Sequence, residues 1–150
     1  MHKTSAWPLA LTYTALIVFA SLFPFDGWRE QGIDPLVFLL ARIPPPYWTG
    51  FDVVTNLVGY APLGFLLVLG LLRSGWRHVL WAVALATLVG TLLSLCMEFL
   101  QIYLPRRVPS NLDLALNALG TLAGALSAAL LERLGALDRW SDFRARWFVS

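Results

Sequence analysis

Thr49-Gly50-Phe51-Asp52-Val53-Val54-Thr55-Asn56-Leu57-Val58-Gly59 recurs 61 residues later as Ser110-Asn111-Leu112-Asp113-Leu114-Ala115-Leu116-Asn117-Ala118-Leu119-Gly120. Both copies read Thr/Ser-x2-Asp-x3-Asn-x2-Gly. A hydroxyl three residues before an acid fits a capping box, in which each side chain bonds the other residue's backbone N–H. An acid in the first turn also complements the helix dipole. Capping alone therefore accounts for Asp52 and Asp113. It does not account for Asn56 and Asn117, each four residues later on the same face, one turn deeper. An amide in an apolar helix is costly unless it faces protein or a cavity. Gly59, Gly64, Gly120 and Gly124 allow close helix approach, so the asparagines serve either as packing glue or as a ligand site.

Outward from these two starts, four apolar segments run about Ala6–Phe23, Asn56–Leu72, Val79–Leu104 and Leu112–Leu131. Each approaches the ~20 residues that cross ~30 Å of hydrocarbon. The second depends on the residues around Asp52 for its outer end. The third spans about 39 Å at 1.5 Å per residue, so it tilts or emerges past the lipid. The hydrophobic fraction of 58% against 13% charged sets the chain apart from soluble domains, which are nearer a quarter charged. The first segment has a basic start in His2 and Lys3, but its apolar core is long for a signal peptide. A retained helix is expected. A single cysteine, Cys96, excludes an internal disulfide and reads as a buried, inert thiol.

Four spans place the N-terminus, the second loop and the tail on one side. That side carries Lys3, Arg73, Arg77, Arg133, Arg139, Arg144 and Arg146, against Arg29, Arg42, Arg106 and Arg107 on the other. The positive-inside rule puts both termini in the cytoplasm. In the first outer loop, Asp34-Pro35 can open a short helix through Leu40. Pro44-Pro45-Pro46 would end it, and Tyr47, Trp48 and Phe51 suit the headgroup level. After Gly135, Leu137, Trp140, Phe143, Trp147 and Phe148 mix with arginines, as in an amphipathic helix on the anionic leaflet.

The expected fold is thus an all-α membrane protein of four transmembrane helices, arranged as two similar helical hairpins. A short interfacial helix lies in the first outer loop and an amphipathic helix ends the chain. The expected division is 1–134 as the membrane domain and 135–150 as a cytoplasmic tail. Parallel copies of this kind occur in membrane transporters.

Glu98 is the most informative single residue. It lies ~9 Å below Leu104, and an ionisable group at such depth marks a functional site by default. Gln101 follows on roughly the same face, and the chain leaves through Pro105 to Arg106 and Arg107. Asp52, Asn56, Glu98, Gln101, Arg107, Asp113 and Asn117 share one depth and side, and can converge on one outward-facing polar pocket. The bland alternative is a self-satisfied network, with Glu98 paired to an arginine. His2 and His78 fall on the cytoplasmic side, so zinc is not expected. Nothing selects Ca²⁺ or Mg²⁺ over arginine pairing, and no cofactor is expected. Neither a catalytic serine arrangement nor a Gly-rich phosphate loop is present. Net charge of +2 and no basic run interleaved with aromatics speak against nucleic acid.

Glu98-x2-Gln101, then Pro105-Arg106-Arg107 and Ser110-x2-Asp113-x3-Asn117-x2-Gly120-x3-Gly124 resembles the VanZ-like family. Asp52-x3-Asn56 followed by Tyr60-Ala61-Pro62-Leu63-Gly64 looks like that family's earlier motif. The resemblance covers about Asp52 to Leu131. Arg107 matches the family's arginine, whereas Arg106 stands where a glycine is common. The aromatic tail matches no family feature. The resemblance implies a bacterial inner-membrane protein and a link to glycopeptide and teicoplanin susceptibility; it implies no reaction.

Three functions compete on this reading. In the first, the pocket binds an anionic or glycan-bearing membrane lipid or a lipid-linked cell-wall precursor. Arg106 and Arg107 would hold phosphate or carboxylate, and Asn56, Gln101 and Asn117 would bond hydroxyls. In the second, an intramembrane enzyme uses Glu98 or Asp113 as general base and Arg107 as electrostatic stabiliser. In the third, the chain is a structural subunit that meets membrane-protein partners through its helix faces or tail.

Overall fold

The structure, a computed structural model, describes residues 4–148. Six helices follow in order: α1 Ala6–Leu22, α2 Pro35–Leu39, α3 Gly50–Arg73, α4 Val79–Gln101, α5 Asn111–Arg133 and α6 Ala136–Phe148. Among the described residues every regular element is a helix. α3, α4 and α5, at 24, 23 and 23 residues, are long and apolar enough to cross a membrane, and α1 is a shorter apolar helix of 17 residues. Together they make a multi-pass membrane protein.

Local chemistry sets the ends. At the start of α3 the capping box is complete: Thr49 Oγ1 accepts from Asp52 N and Asp52 Oδ2 accepts from Thr49 N, each at 3.1 Å. The helix thereby begins at Gly50 rather than near Asn56, which removes the shortfall in length. α1 stops at Leu22, because the residue before Pro24 is steered out of the helical region. α4 is shorter than the expected 39 Å, and the reason lies in the same rule. Before Pro105 the helix gives way at Gln101 to tighter turns, Tyr103 N to Leu100 O and Leu104 N to Gln101 O, both 3.1 Å. Ile102 and Leu104 are buried within those turns rather than lifted out of the bundle. In α2, Asp34 caps Leu36 N at 2.9 Å as the sequence suggests. The helix is only five residues long and ends before the prolines are reached, with Asn111 Nδ2 donating to Ala41 O at 2.6 Å just past its end.

α3 and α5, the helices that open with the repeat, lie side by side and parallel. A Cβ added at Gly120 would strike Leu57 O and one at Gly124 would strike Ala61 O, so the register rises together along both helices. The backbones meet because no side chain separates them. α4 packs on α5, and α1 packs chiefly on α3. One apolar cluster joins Ile17, Leu22, Tyr60, Leu63, Met97 and Leu104; a second joins Val68, Val83, Ala86, Ala125, Ala128 and Ala129. The second is alanine-rich, the composition that brings α3, α4 and α5 close at that end.

Large apolar residues such as Leu11, Leu80 and Leu92 face outward, as lipid rather than water requires. Cys96 is exposed on α4, contrary to the burial expected of it: it points away from the bundle, while Met97 and Glu98 beside it point in. At the other end of the bundle Arg73 and Glu132 pair at 3.3 Å, tying the ends of α3 and α5. Gly135, at φ +66°, turns the chain into α6, and Arg139 Nη2 donates to Leu134 O at 2.9 Å across the bend. Trp140, Phe143 and Trp147 touch in series along α6, Trp140 stacked on Phe143 and Phe143 tilted against Trp147, with centroids 5.9 and 6.0 Å apart. Lys3 and His2 lie outside the described residues, as do the side chains of Leu137 and Phe148.

Candidate functional site

At the end of the bundle where α3 and α5 begin and α1 and α4 finish lies a partly open cavity of ≈ 500 Å³. α3 contributes Asp52, Asn56 and Tyr60; α4 contributes Glu98 and Gln101; α5 contributes Asp113 and Asn117; Arg107 comes from the connection between them. The seven residues expected to converge all line it. Arg106 does not. The turn closed by Arg107 N and Leu104 O sends Arg107 toward α1, and Arg106 is left exposed with no side-chain hydrogen bond among the described residues.

The spacing on each helix explains the convergence. Asp52, Asn56 and Tyr60 are successive residues of an i, i+4 ladder, as are Asp113, Asn117 and Thr121. Each ladder presents its polar groups on one face at increasing depth. Because α3 and α5 are parallel and in contact, the two ladders face one space. Ser94 and Glu98 form a third ladder on α4.

The hydrogen bonds break the symmetry of the repeat. In the second copy Ser110 Oγ accepts from Asp113 N at 3.3 Å, but Asp113 does not reciprocate. The Ser110 backbone N–H donates instead to Glu98 Oε2 at 2.8 Å. Glu98, only 3% exposed, thus completes from α4 the cap that Asp52 completes within α3. Asp113 is released, and its Oδ1 accepts from Asn56 Nδ2 at 3.2 Å, the asparagine of the other copy. Asn117 turns to α4 and donates to Ser94 Oγ at 2.8 Å.

Arg107 and Gln101 close the cavity against α1. Arg107 Nε donates to Ser21 O at 2.9 Å and Nη2 to Ala20 O at 2.7 Å, while Gln101 Nε2 donates to Ser21 O at 2.9 Å. Carbonyls in the last turn of a helix have no partner of their own, and a cation there also complements the dipole. Glu98 makes no ion pair with an arginine among the described residues, so the network is not the Glu98–arginine pair that a purely self-satisfied site would use.

Two buried polar atoms are left over. Asn117 Oδ1, in a residue 4% exposed, has no hydrogen-bond partner, and the Tyr60 hydroxyl, in a residue 6% exposed, has only Ser94 beside it. Such groups are rare in native structures and call for an explanation. Both residues line the cavity. Among the described residues no group of three or more His, Cys, Asp or Glu is gathered closely enough to hold a metal ion.

The α1 wall was not read from the sequence as part of the site. It supplies Tyr13, Leu16, Ile17, Ala20 and Ser21, and the Tyr13 hydroxyl donates to Gly59 O. A tyrosine inside an apolar segment was the available signal. Tyr60 and Ser94 were also missed, although each lies four residues from a recognised site residue.

No curated protein and no solved structure matches the chain. A family model described as VanZ/LLP1 matches residues 4–132, which takes in α1 through nearly all of α5 and every residue lining the cavity. The resemblance carried by Glu98, Gln101, Arg107, Asp113 and Asn117 is borne out, and the chain belongs to the VanZ/LLP1 family.

Proposed function

We propose that this protein binds the polar headgroup of an envelope lipid, or of a lipid-linked cell-wall precursor, in the cavity between α1, α3, α4 and α5, and so modulates glycopeptide susceptibility. In this reading it spans the bacterial inner membrane four times, as hairpins α1–α3 and α4–α5, with both termini in the cytoplasm and the cavity open to the periplasm. Residues 1–134 form the membrane unit. Residues 135–150 form a tail whose aromatic row lies along the anionic cytoplasmic leaflet, where basic residues gain from the surface potential. The excess of arginine at the α6 end supports that orientation.

One observation carries the binding reading: a cavity of ≈ 500 Å³ whose wall includes Asp52, Asn56, Glu98, Gln101, Arg107, Asp113 and Asn117, with the buried Asn117 Oδ1 left without a partner. Polar groups at such depth are costly unless they serve a ligand or a pathway. The supports are uneven for the classes of headgroup. Arg107 already gives Nε and Nη2 to backbone carbonyls and Arg106 lies outside, so a hydroxyl- or glycan-bearing headgroup is better supported than a phosphate clamp.

Native mass spectrometry of the purified protein with an envelope lipid extract tests this. Retention of a headgroup class by the wild type, and its loss in Asn117→Leu with folding intact, is expected. Equal retention by both would remove the cavity from the binding reading.

A second reading has its own observation. Glu98, Gln101 and Arg107 all bond backbone atoms that hold α1 and α5 in place. A structural subunit of a larger membrane complex would need no more than that. It would carry these residues without retaining a lipid, and would copurify with a stoichiometric protein partner.

A further inference from the structure

We infer that the cavity is a receptor for a primary ammonium group; this rests on its being a ligand site, as proposed above. The argument is a balance of charge and of hydrogen-bond capacity. Three carboxyl groups, Asp52, Glu98 and Asp113, line the cavity, and the two aspartates alone outnumber the single guanidinium of Arg107. Two of that guanidinium's nitrogens are turned to Ser21 and Ala20.

Each carboxylate has one oxygen engaged: Glu98 Oε2 by Ser110 N, Asp113 Oδ1 by Asn56 Nδ2 and Asp52 Oδ2 by Thr49 N. The second oxygen of each accepts nothing among the described residues. Asn117 Oδ1, buried and unpartnered, is a further acceptor, independent of the acids. The cavity therefore presents a surplus of acceptors, and its two aspartates exceed its one guanidinium in charge. A bound phosphate or carboxylate would add to both; a primary ammonium, with one positive charge and three N–H donors, answers both.

Two features favour an organic ammonium over an inorganic cation. The carboxylates are spread around the walls rather than gathered on one point, and no metal-holding cluster is present among the described residues. The rings of Tyr13 and Tyr60 line the same space, and aromatic faces attract ammonium groups.

An ammonium can come from an ethanolamine-type lipid headgroup or from the free amine of a soluble peptide. The test uses the full chain in detergent and native mass spectrometry, with phosphatidylethanolamine, phosphatidylcholine and phosphatidylglycerol of identical acyl chains. The ethanolamine lipid is expected to be retained about tenfold or more over the other two, since only it offers charged N–H donors. Asp52→Asn and Asp113→Asn, which keep volume and one acceptor oxygen, should each erode that preference. A lysine-containing tripeptide distinguishes the source: competition with the lipid at similar concentration points to a soluble amine, failure to compete to the lipid headgroup, and both support the ammonium.

Retention of phosphatidylglycerol as well as the ethanolamine lipid, lost in Asn117→Leu, would overturn the ammonium assignment while leaving the headgroup reading intact. Absence of any retained lipid and of any tripeptide binding would overturn both. The headgroup comparison is made on the wild type, so it stands even where a variant fails to fold.

Discussion

Glu98 Oε2 accepts the backbone N–H of Ser110 at 2.8 Å, supplying from one membrane helix the cap that opens the next. The corresponding bond in the first copy of the repeat runs from Thr49 N to Asp52, three residues away on the same helix. The exchange has a consequence for the cavity. It frees Asp113 to meet Asn56 of the other copy, so α3 and α5 are joined by polar groups exactly where α4 docks onto them.

Glu98→Gln and Glu98→Ala should therefore separate. Glutamine keeps a carbonyl oxygen for Ser110 N; alanine leaves that part-buried donor without a partner. Loss of a partner for a buried group costs about 1–3 kcal/mol. Thermal unfolding in detergent should show Glu98→Ala clearly below wild type and Glu98→Gln between them. Equal melting temperatures for the two variants would contradict the capping role.

Gly59 and Gly120 occupy the same position of the repeat but should respond oppositely to alanine. A Cβ at Gly59 meets nothing within 4 Å, whereas one at Gly120 strikes Leu57 O. Gly59→Ala should be neutral or stabilising by up to ~1 kcal/mol, from helix propensity. Gly120→Ala must push α3 and α5 apart, and overpacking of this kind costs about 1–3 kcal/mol or more. The paired melting temperatures check this directly.

Arg107→Lys should loosen α1 although the charge is kept. A lysine ammonium cannot reproduce the fork that bonds Ala20 O and Ser21 O together. The expected loss is about 1.5–3 kcal/mol, the range for bonds to a charged group. Hydrogen exchange in Ala20–Phe23 should accelerate in Arg107→Lys. Arg106→Ala, at an exposed side chain, should leave it unchanged.

The proposed topology predicts a labelling pattern. In a variant carrying Cys96→Ala, a cysteine at Tyr47 should react with a membrane-impermeant maleimide from the periplasmic side. A cysteine at Arg77 should react only after the inner membrane is opened. The reverse pattern would invert the orientation.

The sequence by itself determined the order of the long helices and the end of the bundle at which the polar groups lie. Apolar run length, proline positions and hydroxyl-acid spacing are local quantities, so Asp52, Asn56, Glu98, Gln101, Arg107, Asp113 and Asn117 could be assigned to one end of the bundle from spacing alone. Their meeting in a single cavity followed because the glycine faces leave few ways to pack α3 on α5. Which atom bonds which was decided only by the tertiary structure. The two copies of the repeat are locally equivalent, and nothing in either says that Glu98 caps the second, that Asp113 then crosses to Asn56, or that Arg107 goes to α1 while Arg106 turns away. Hydrogen bonds between helices depend on their rotation and register to within an ångström, and those are set by packing of the whole bundle. The wall from α1 belongs to the same class: Ala20 and Ser21 act through backbone carbonyls, which every residue has and no sequence motif marks.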